Sequence, residues 1–286
     1  MPLVRFRTPD SATARLGVVD GDAIYEFTSP STVDAALRLP LAELQAAVQD
    51  VLDTTRNPLR VNEIELLAPI DTQEVWACGV TYSRSRDARM EESTQKDVYD
   101  LVYEAERPEL FFKATPSRVS GPDGTVAIRG DSTWDVPEPE LALVVNAHRE
   151  LVGYTIGNDV SSRSIEGENP LYLPQAKVYS ACAGLGPAIV LVNELPNATD
   201  LAITLVIERG GEAIFTGTTS TNQLHRTFDD LLAYLHRHNA FLSGAFLFTG
   251  TGIIPPSEFT LQDGDVVSIT IDGIGTLRNP VVRLTD

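Results

Sequence analysis

Apolar and polar residues alternate over short runs near the start of the chain, and one longer stretch there has helical spacing. The alternating runs at 3–6, 15–19 and 23–27 are typical of strands, because neighbouring side chains of a strand point to opposite faces. Residues 31–52 instead carry alanine and leucine at helical spacing. These patterns predict a small α+β module over residues 1–68.

The rest of the chain consists mostly of short apolar runs separated by glycine, proline, asparagine and aspartate. Such a series indicates strands joined by tight turns, and it predicts a mixed or antiparallel β core that closes on itself. A clear helical pattern lies at 225–242, whereas the polar segment 84–101 fits either a helix or a mobile segment over a pocket. The predicted fold class is α+β and mainly β, with the closed β core domain at 69–286. Its predicted strands include 126–129, 140–145, 152–159, 186–192, 201–209 and 265–271.

Composition excludes several classes of protein. The chain has 286 residues, of which 43% are hydrophobic and 22% charged, so it can bury a full core. A formal net charge of -18 repels phosphate backbones, and we expect no nucleic acid partner. The apolar stretches 141–145 and 184–192 are far shorter than the roughly 20 residues of a membrane span, and the first residues resemble neither a secretory signal nor a transit peptide. We therefore expect a cytoplasmic protein without a membrane segment, and its two cysteines are predicted to be core thiols.

Three carboxylates are predicted to converge at one end of a hairpin. Glu138 and Glu140 stand at alternate positions of an extended run, so both side chains point to the same face. The prolines beside them cannot donate ladder hydrogen bonds, which places this end of the strand at an edge or a mouth. If Val145 pairs with Val152, the same register brings Asp159 opposite Glu138.

Such a cluster needs a cation, because carboxylates brought together repel one another. Hard oxygen ligands favour Mg²⁺, with Mn²⁺ and Ca²⁺ as alternatives. The competing interpretation is that Glu138 and Glu140 are only the solvated face of an edge strand, since Glu-x-Glu alone is a weak motif.

Further motifs follow in a characteristic order. They are Gly79-Val80-Thr81-Tyr82, Gly157-Asn158-Asp159-Val160, Pro174-Gln175-Ala176-Lys177 and Phe248-Thr249-Gly250-Thr251-Gly252. With these motifs the chain resembles the fumarylacetoacetate hydrolase family over residues 70–286. The resemblance implies the fold of that family's C-terminal domain and a homodimer or homotetramer. It also implies a divalent metal held by Glu138, Glu140 and Asp159 with Lys177 beside it, and a loop carrying Thr251 that touches the substrate carboxylate.

The family acts mostly on 2-oxo acids or 1,3-diketones, so the resemblance implies a small 2-oxo acid substrate. Its carbon-carbon hydrolases use a histidine three positions after the tyrosine of the entry motif. Here Ser85 stands at that position, which argues against hydrolysis. The stretches 107–113 and 163–177 resemble the 2-keto-3-deoxy-arabinonate dehydratase branch. That branch converts a 2-keto-3-deoxy-pentonate to 2,5-dioxopentanoate and water.

Carried over to this chain, the branch's roles make Glu109 the acid and base and Lys177 its electrostatic partner. Metal chelation of the C1 carboxylate and C2 carbonyl acidifies the C3 proton, which a partly buried carboxylate can remove. Ser83, Arg84 and Lys113 are also predicted to bind the substrate, although a surface position is as compatible with the sequence for Arg84 and Lys113. Two other functions stay open: a carbon-carbon hydrolase of acylpyruvates or 2,4-diketo-3-deoxy sugar acids, and a metal-binding protein without catalysis.

Overall fold

The computed structural model describes residues 1–92 and 96–285. Its helices are α1 (Val33–Leu37), α2 (Leu41–Thr54), α3 (Ser83–Glu92), α4 (Lys96–Glu104), α5 (Arg163–Glu168), α6 (Leu173–Lys177) and α7 (Phe228–Leu235). Its strands are β1 (Pro2–Arg7), β2 (Arg15–Asp20), β3 (Ala23–Glu26), β4 (Leu59–Arg60), β5 (Glu65–Leu67), β6 (Glu74–Gly79), β7 (Glu109–Ala114), β8 (Val119–Ser120), β9 (Val126–Ile128), β10 (Asp135–Val136), β11 (Pro139–Val145), β12 (Leu151–Asp159), β13 (Ser161–Ser162), β14 (Ala183–Leu191), β15 (Ala202–Arg209), β16 (Glu212–Ser220), β17 (Ala245–Phe248), β18 (Val266–Ile271) and β19 (Gly275–Arg283).

Two large mixed sheets organise the chain, which confirms a mainly β fold. In the twelve-stranded sheet the strands follow the order β4-β3-β2-β1-β14-β12-β11-β17-β6-β7, with β5 on β1 and β8 on β14. The five-stranded sheet has the order β16-β15-β18-β19-β9. The longer order is an open path between β4 and β7, so these described strands do not support the predicted closure of the core.

The predicted N-terminal module contributes strands to the main sheet. β1 pairs with β14 through Pro2 opposite Val190 and Leu3 opposite Ile189. The helical stretch predicted at 31–52 is two helices, α1 and α2, because Pro40 lies between them and disfavours helical backbone at the residue before it. The boundary between residues 68 and 69 stays a prediction.

The two remaining helix predictions agree with the structure only in part. Segment 84–101 is helical where α3 and α4 cover it. The alternative prediction of a mobile segment also includes residues 93–95, which lie outside the described residues. The helix predicted at 225–242 is shorter, since α7 begins after the capping Thr227 and its last residue is Leu235. No helix in the described ranges is long and apolar enough to cross a membrane.

The hairpin of β11 and β12 lies in the middle of the main sheet and is buried on both faces. Leu141, Leu143 and Val145 of β11 belong to one hydrophobic cluster, whereas Ala142 and Val144 pack into a second cluster on the opposite face. Burial on both faces explains why this strand is a continuous apolar run rather than an alternating one. The hairpin is therefore held rigidly where its acidic end begins.

Candidate active site

The acidic end of the hairpin brings Glu138, Glu140 and Asp159 together, as predicted. The register pairs Pro139 with Asn158, and the backbone N–H of Asp159 donates to the carbonyl of Glu138 over 3.0 Å. One carboxylate oxygen from each of the three side chains lies within 4.8 Å of the others. All three residues are at most 4% exposed, so the interpretation as a solvated strand face is wrong.

The predicted turn-side pairing of this hairpin is wrong by one position. Val145 pairs with Leu151 rather than Val152, because the ladder is irregular between Val144 and Val145. The irregularity lies between the turn and the acidic end, so the register at the site is still the predicted one.

The site opens where β17, the neighbour of β11 on the side opposite β12, ends. β17 pairs with β11 from Ala142 to Val145, and beyond that point the loop after β17 bends over the strand end. There the N–H of Gly250 donates to a carboxylate oxygen of Glu140. Gly250 has a φ of 92°, and a Cβ at this position would lie 1.9 Å from Oγ1 of Thr81, so only glycine fits this close approach.

Two buried lysines and an arginine contact the carboxylates. The Nζ of Lys177 donates to Oε2 of Glu138 over 2.6 Å, to Oδ2 of Asp159 over 3.1 Å and to Oγ of Ser161 over 2.6 Å. Lys113 forms an ion pair with Oδ1 of Asp159 over 2.6 Å. Arg163 Nη2 lies 3.0 Å from Oε1 of Glu138. The carboxylates of Glu138 and Asp159 are thus both in contact with cationic side chains.

Glu140 is the carboxylate that lacks an ion pair among the described residues. Its pKa is raised well above the usual range, first by burial and then by the negative charges of Asp159 and Glu138. Lys177 and the Gly250 N–H oppose this shift. A cation among the three carboxylates would supply the missing counter-charge, and oxygen donors alone favour a hard divalent ion. The residues present therefore fit a site for Mg²⁺.

A narrow pocket borders the carboxylates and contains further reactive groups. Its lining includes Ser85, Glu109, Phe111, Glu166, Leu173 and Thr251 beside Glu138, Glu140 and Lys177. Glu109 begins β7 opposite Gly79 of β6. A Cβ on Gly79 would lie 2.0 Å from Oε2 of Glu109, so the missing side chain makes room for that carboxylate. Glu109, Lys177 and Thr251 thus line the pocket, and their roles stay predictions.

The structure places the other predicted substrate-binding residues elsewhere. Ser83 and Arg84, at the start of α3, are exposed and are not among the residues lining the pocket, whereas the next residue, Ser85, is buried and lines it. Lys113 is fully buried behind the carboxylates rather than in the pocket wall. Substrate contacts by Ser83 and Arg84 stay predictions.

Sequence reasoning assigned no role to Arg163 and Glu166. Both lie on α5, which follows directly after β13 and is capped by the Ser162 side chain. They are three positions apart on this helix, a spacing that brings side chains to the same side. That spacing, in a stretch close after Asp159, was the signal that could have identified them.

The fold and the site together define a mainly β protein whose buried centre combines three carboxylates with two lysines. The chain belongs to the fumarylacetoacetate hydrolase family, since the fumarylacetoacetate (FAA) hydrolase C-terminal family matches residues 75–282.

Two curated relatives and a solved structure share this fold and much of the sequence. A probable 2-keto-3-deoxyxylonate dehydratase of Haloferax volcanii is 46% identical over 96% of this chain and 94% of its own length. A 2-dehydro-3-deoxy-D-arabinonate dehydratase of Saccharolobus solfataricus is also 46% identical, over 78% of this chain and 76% of its own. The structure of a 2-keto-3-deoxy-D-arabinonate dehydratase complexed with magnesium and 2,5-dioxopentanoate is 36% identical, covers all of both chains and has a TM-score of 0.84. The predicted family and its mainly β fold are confirmed.

Proposed function

We propose that this protein is a metal-dependent dehydratase that converts a 2-keto-3-deoxy-pentonate to 2,5-dioxopentanoate and water. The observation that carries the proposal is the buried carboxylate cluster with Lys177 in contact, at a pocket that also contains Glu109. The relatives named as dehydratases, and the magnesium and 2,5-dioxopentanoate in one related structure, support the same reaction.

Glu138, Glu140 and Asp159 would hold the Mg²⁺ ion, with Mn²⁺ or Ca²⁺ as substitutes. When bound, the ion supplies Lewis acidity toward the oxygens of a 2-oxo acid, which makes the C3 proton easier to remove. It also provides the local positive charge that attracts an anionic substrate to a protein of net charge -18.

Glu109 is the proposed acid and base. Its carboxylate takes a proton from C3, and the C4 hydroxyl then leaves as water with a proton returned by an acid. The C3–C4 alkene rearranges to the C5 aldehyde as one proton leaves C5 and one leaves the C5 hydroxyl, while one proton is delivered to C3 and one to C4. Glu166 lines the same pocket and is 6% exposed, so it is placed to serve as a second proton carrier.

Lys177 is proposed to stabilise negative charge, and Thr251 is proposed to position the substrate. The ammonium of Lys177 balances the carboxylates and stabilises negative charge that develops on the substrate oxygens. Thr251 is 4% exposed and lines the pocket, and we propose that its hydroxyl donates to the substrate carboxylate.

The alternative chemistry is carbon-carbon hydrolysis of acylpyruvates or 2,4-diketo-3-deoxy sugar acids. Ser85, which is located where hydrolases of this family have a histidine, lines the pocket, and its hydroxyl is a far weaker base than an imidazole. This placement favours dehydration.

Product analysis separates the two reactions. EDTA-stripped protein, with and without added Mg²⁺, is incubated with racemic 2-keto-3-deoxypentonate and, separately, with an acylpyruvate, and products are followed by mass spectrometry. We expect Mg²⁺-dependent loss of one water from the pentonate, with all carbons kept in one molecule. Pyruvate from the acylpyruvate with the pentonate unchanged would establish the hydrolase instead. A bound metal without turnover of either compound would indicate a non-catalytic metal protein.

The assembly is also part of the proposal. We expect a homodimer or homotetramer in the cytoplasm, and light scattering of the purified protein measures the number of subunits.

A further inference from the structure

Lys113 lies on β7 and is fully buried, which is unusual for a lysine. Its ammonium has an ion pair with Oδ1 of Asp159 over 2.6 Å. It also donates to the backbone carbonyl of Val160 over 2.9 Å and to that of Lys177 over 2.6 Å. One carboxylate oxygen and two backbone carbonyls thus surround the ammonium, all within 2.9 Å of Nζ.

The burial and the contacts of Lys113 argue against the predicted contact between Lys113 and the substrate. Lys113 is 0% exposed, and it is not among the residues that line the pocket. Burying an ammonium costs free energy unless an opposite charge and hydrogen bonds compensate for it. Asp159 and the two backbone carbonyls provide that compensation.

The acceptors of Lys113 connect two parts of the site. Asp159 and Val160 lie at the end of β12, whereas Lys177 is the last residue of α6. Oδ1 of Asp159 contacts Lys113, and Oδ2 of the same carboxylate contacts the ammonium of Lys177. Lys113 therefore fixes the carboxylate directly, and it fixes the backbone that carries the second ammonium.

We propose that Lys113 is a positioning residue, which orients Asp159 for the metal and holds the end of α6 so that Lys177 faces the pocket. This inference rests on the proposed metal-dependent function. It replaces the predicted role in substrate binding, and it makes different predictions for the kinetic constants. A residue that binds substrate affects KM, whereas one that orients a metal ligand affects metal affinity and kcat.

The test compares Lys113→Met with wild type and with Arg209→Met. Arg209 is the control, because it is a cation that donates to the fully buried Asp265 over 2.7 and 2.8 Å and neither residue lines the pocket. Mg²⁺ affinity is measured by isothermal titration calorimetry without substrate. Loss of a residue that orients a ligand typically weakens metal binding by roughly 10–100-fold. We expect such a loss for Lys113→Met and unchanged affinity for Arg209→Met, together with a lower kcat and an unchanged KM at saturating Mg²⁺.

A raised KM with unchanged Mg²⁺ affinity in Lys113→Met would overturn the proposal in favour of substrate binding. If the methionine variant does not fold, as judged by circular dichroism, Lys113→Gln replaces it, since glutamine keeps part of the hydrogen bonding without the charge. A double-mutant cycle with Asp159→Asn provides a second readout. We expect the two effects on Mg²⁺ affinity to be strongly non-additive, and additive effects would show that Lys113 does not act through Asp159. Because these titrations contain no substrate, they remain decisive even if the protein dehydrates none of the compounds offered.

Discussion

Asp135 is a further buried carboxyl group, three residues before Glu138 in the chain, and its surroundings differ from those of the carboxylate cluster. It is 0% exposed, and neither of its oxygens has a hydrogen-bond partner in the part of the chain that the structure describes. The nearest ion-pair partner is Nη2 of Arg283, 3.8 Å away from Oδ2. Burial raises the pKa of Asp135 to about 6, and the nearby Ser132 hydroxyl and the Arg283 and Arg129 guanidinium groups offset only part of that shift.

The raised pKa predicts a specific pH dependence of stability. Because the folded protein binds this proton more tightly than the unfolded chain, the stabilising contribution is complete below pH about 4 and is lost by pH about 6. Asp135→Asn removes that loss, so at pH 7 we expect the variant to be more stable than wild type by about 2 kcal/mol. Urea unfolding of both proteins at pH 4.5, 5.5 and 7 measures the difference. A difference in unfolding free energy that is constant with pH would contradict the assigned cause.

At the residue scale, the sequence was sufficient for the groups whose placement depends on alternation. Glu138 and Glu140 share a face because strand side chains alternate, and Asp159 follows from the hairpin register. The exposure of a helix residue is harder to predict, since successive side chains differ in direction by about 100°. Ser83 and Arg84 are therefore exposed while Ser85 lines the pocket. The contacts of Lys113 could not be predicted, because they join it to Asp159 and Lys177, which are far from it in the chain.

Among the secondary structure elements, the pairing of β6 with β7 determines where the proposed acid and base stands. Gly79 lies opposite Glu109, and the contact that a Cβ would make is with the flexible end of that side chain rather than with backbone. The strand pair can therefore accept a methyl group only if the carboxylate moves away from its position over Gly79.

Gly79→Ala should separate catalysis from metal binding. We expect the variant to fold and to bind Mg²⁺ with wild-type affinity, while kcat falls by roughly 100-fold, the usual scale for loss of a general acid or base. Steady-state kinetics and calorimetric titration measure the two quantities, and thermal unfolding serves as the control for the fold. Full activity in this variant would show that the carboxylate of Glu109 is not needed where the structure has it.

Long-range pairing explains what the patterns of strands and helices could not predict. The individual strands of the hairpin could be predicted from apolar runs, yet such runs carry no information about distant partners. The pairing of β1 with β14 and the open order of the main sheet both depend on such partners. This is the physical reason why neither the pairing of residues 1–68 with the main sheet nor its strand order could be predicted.

For the whole molecule, the carboxylate cluster makes stability depend on the metal. An ion that binds only the folded protein adds RT ln(1 + [L]/Kd) to the free energy of unfolding, about 2.7 kcal/mol at one hundred times Kd. We expect Mg²⁺ to raise Tm and EDTA to lower it, as measured by differential scanning calorimetry. Since salt also screens a net charge of -18, NaCl at equal ionic strength is the control. Glu140→Gln should lose the Mg²⁺-specific shift, and an equal shift in that variant would exclude Glu140 as a ligand.

The hairpin that carries all three carboxylates has a consequence for how the protein folds. Contacts between residues close in the chain form early, because little loop-closure entropy must be lost to make them. Glu138, Glu140 and Asp159 belong to two successive strands, so their meeting does not wait for β1 to reach β14. The three carboxylates can therefore meet before the sheet is assembled, and the ion can take part in folding as well as in the finished enzyme.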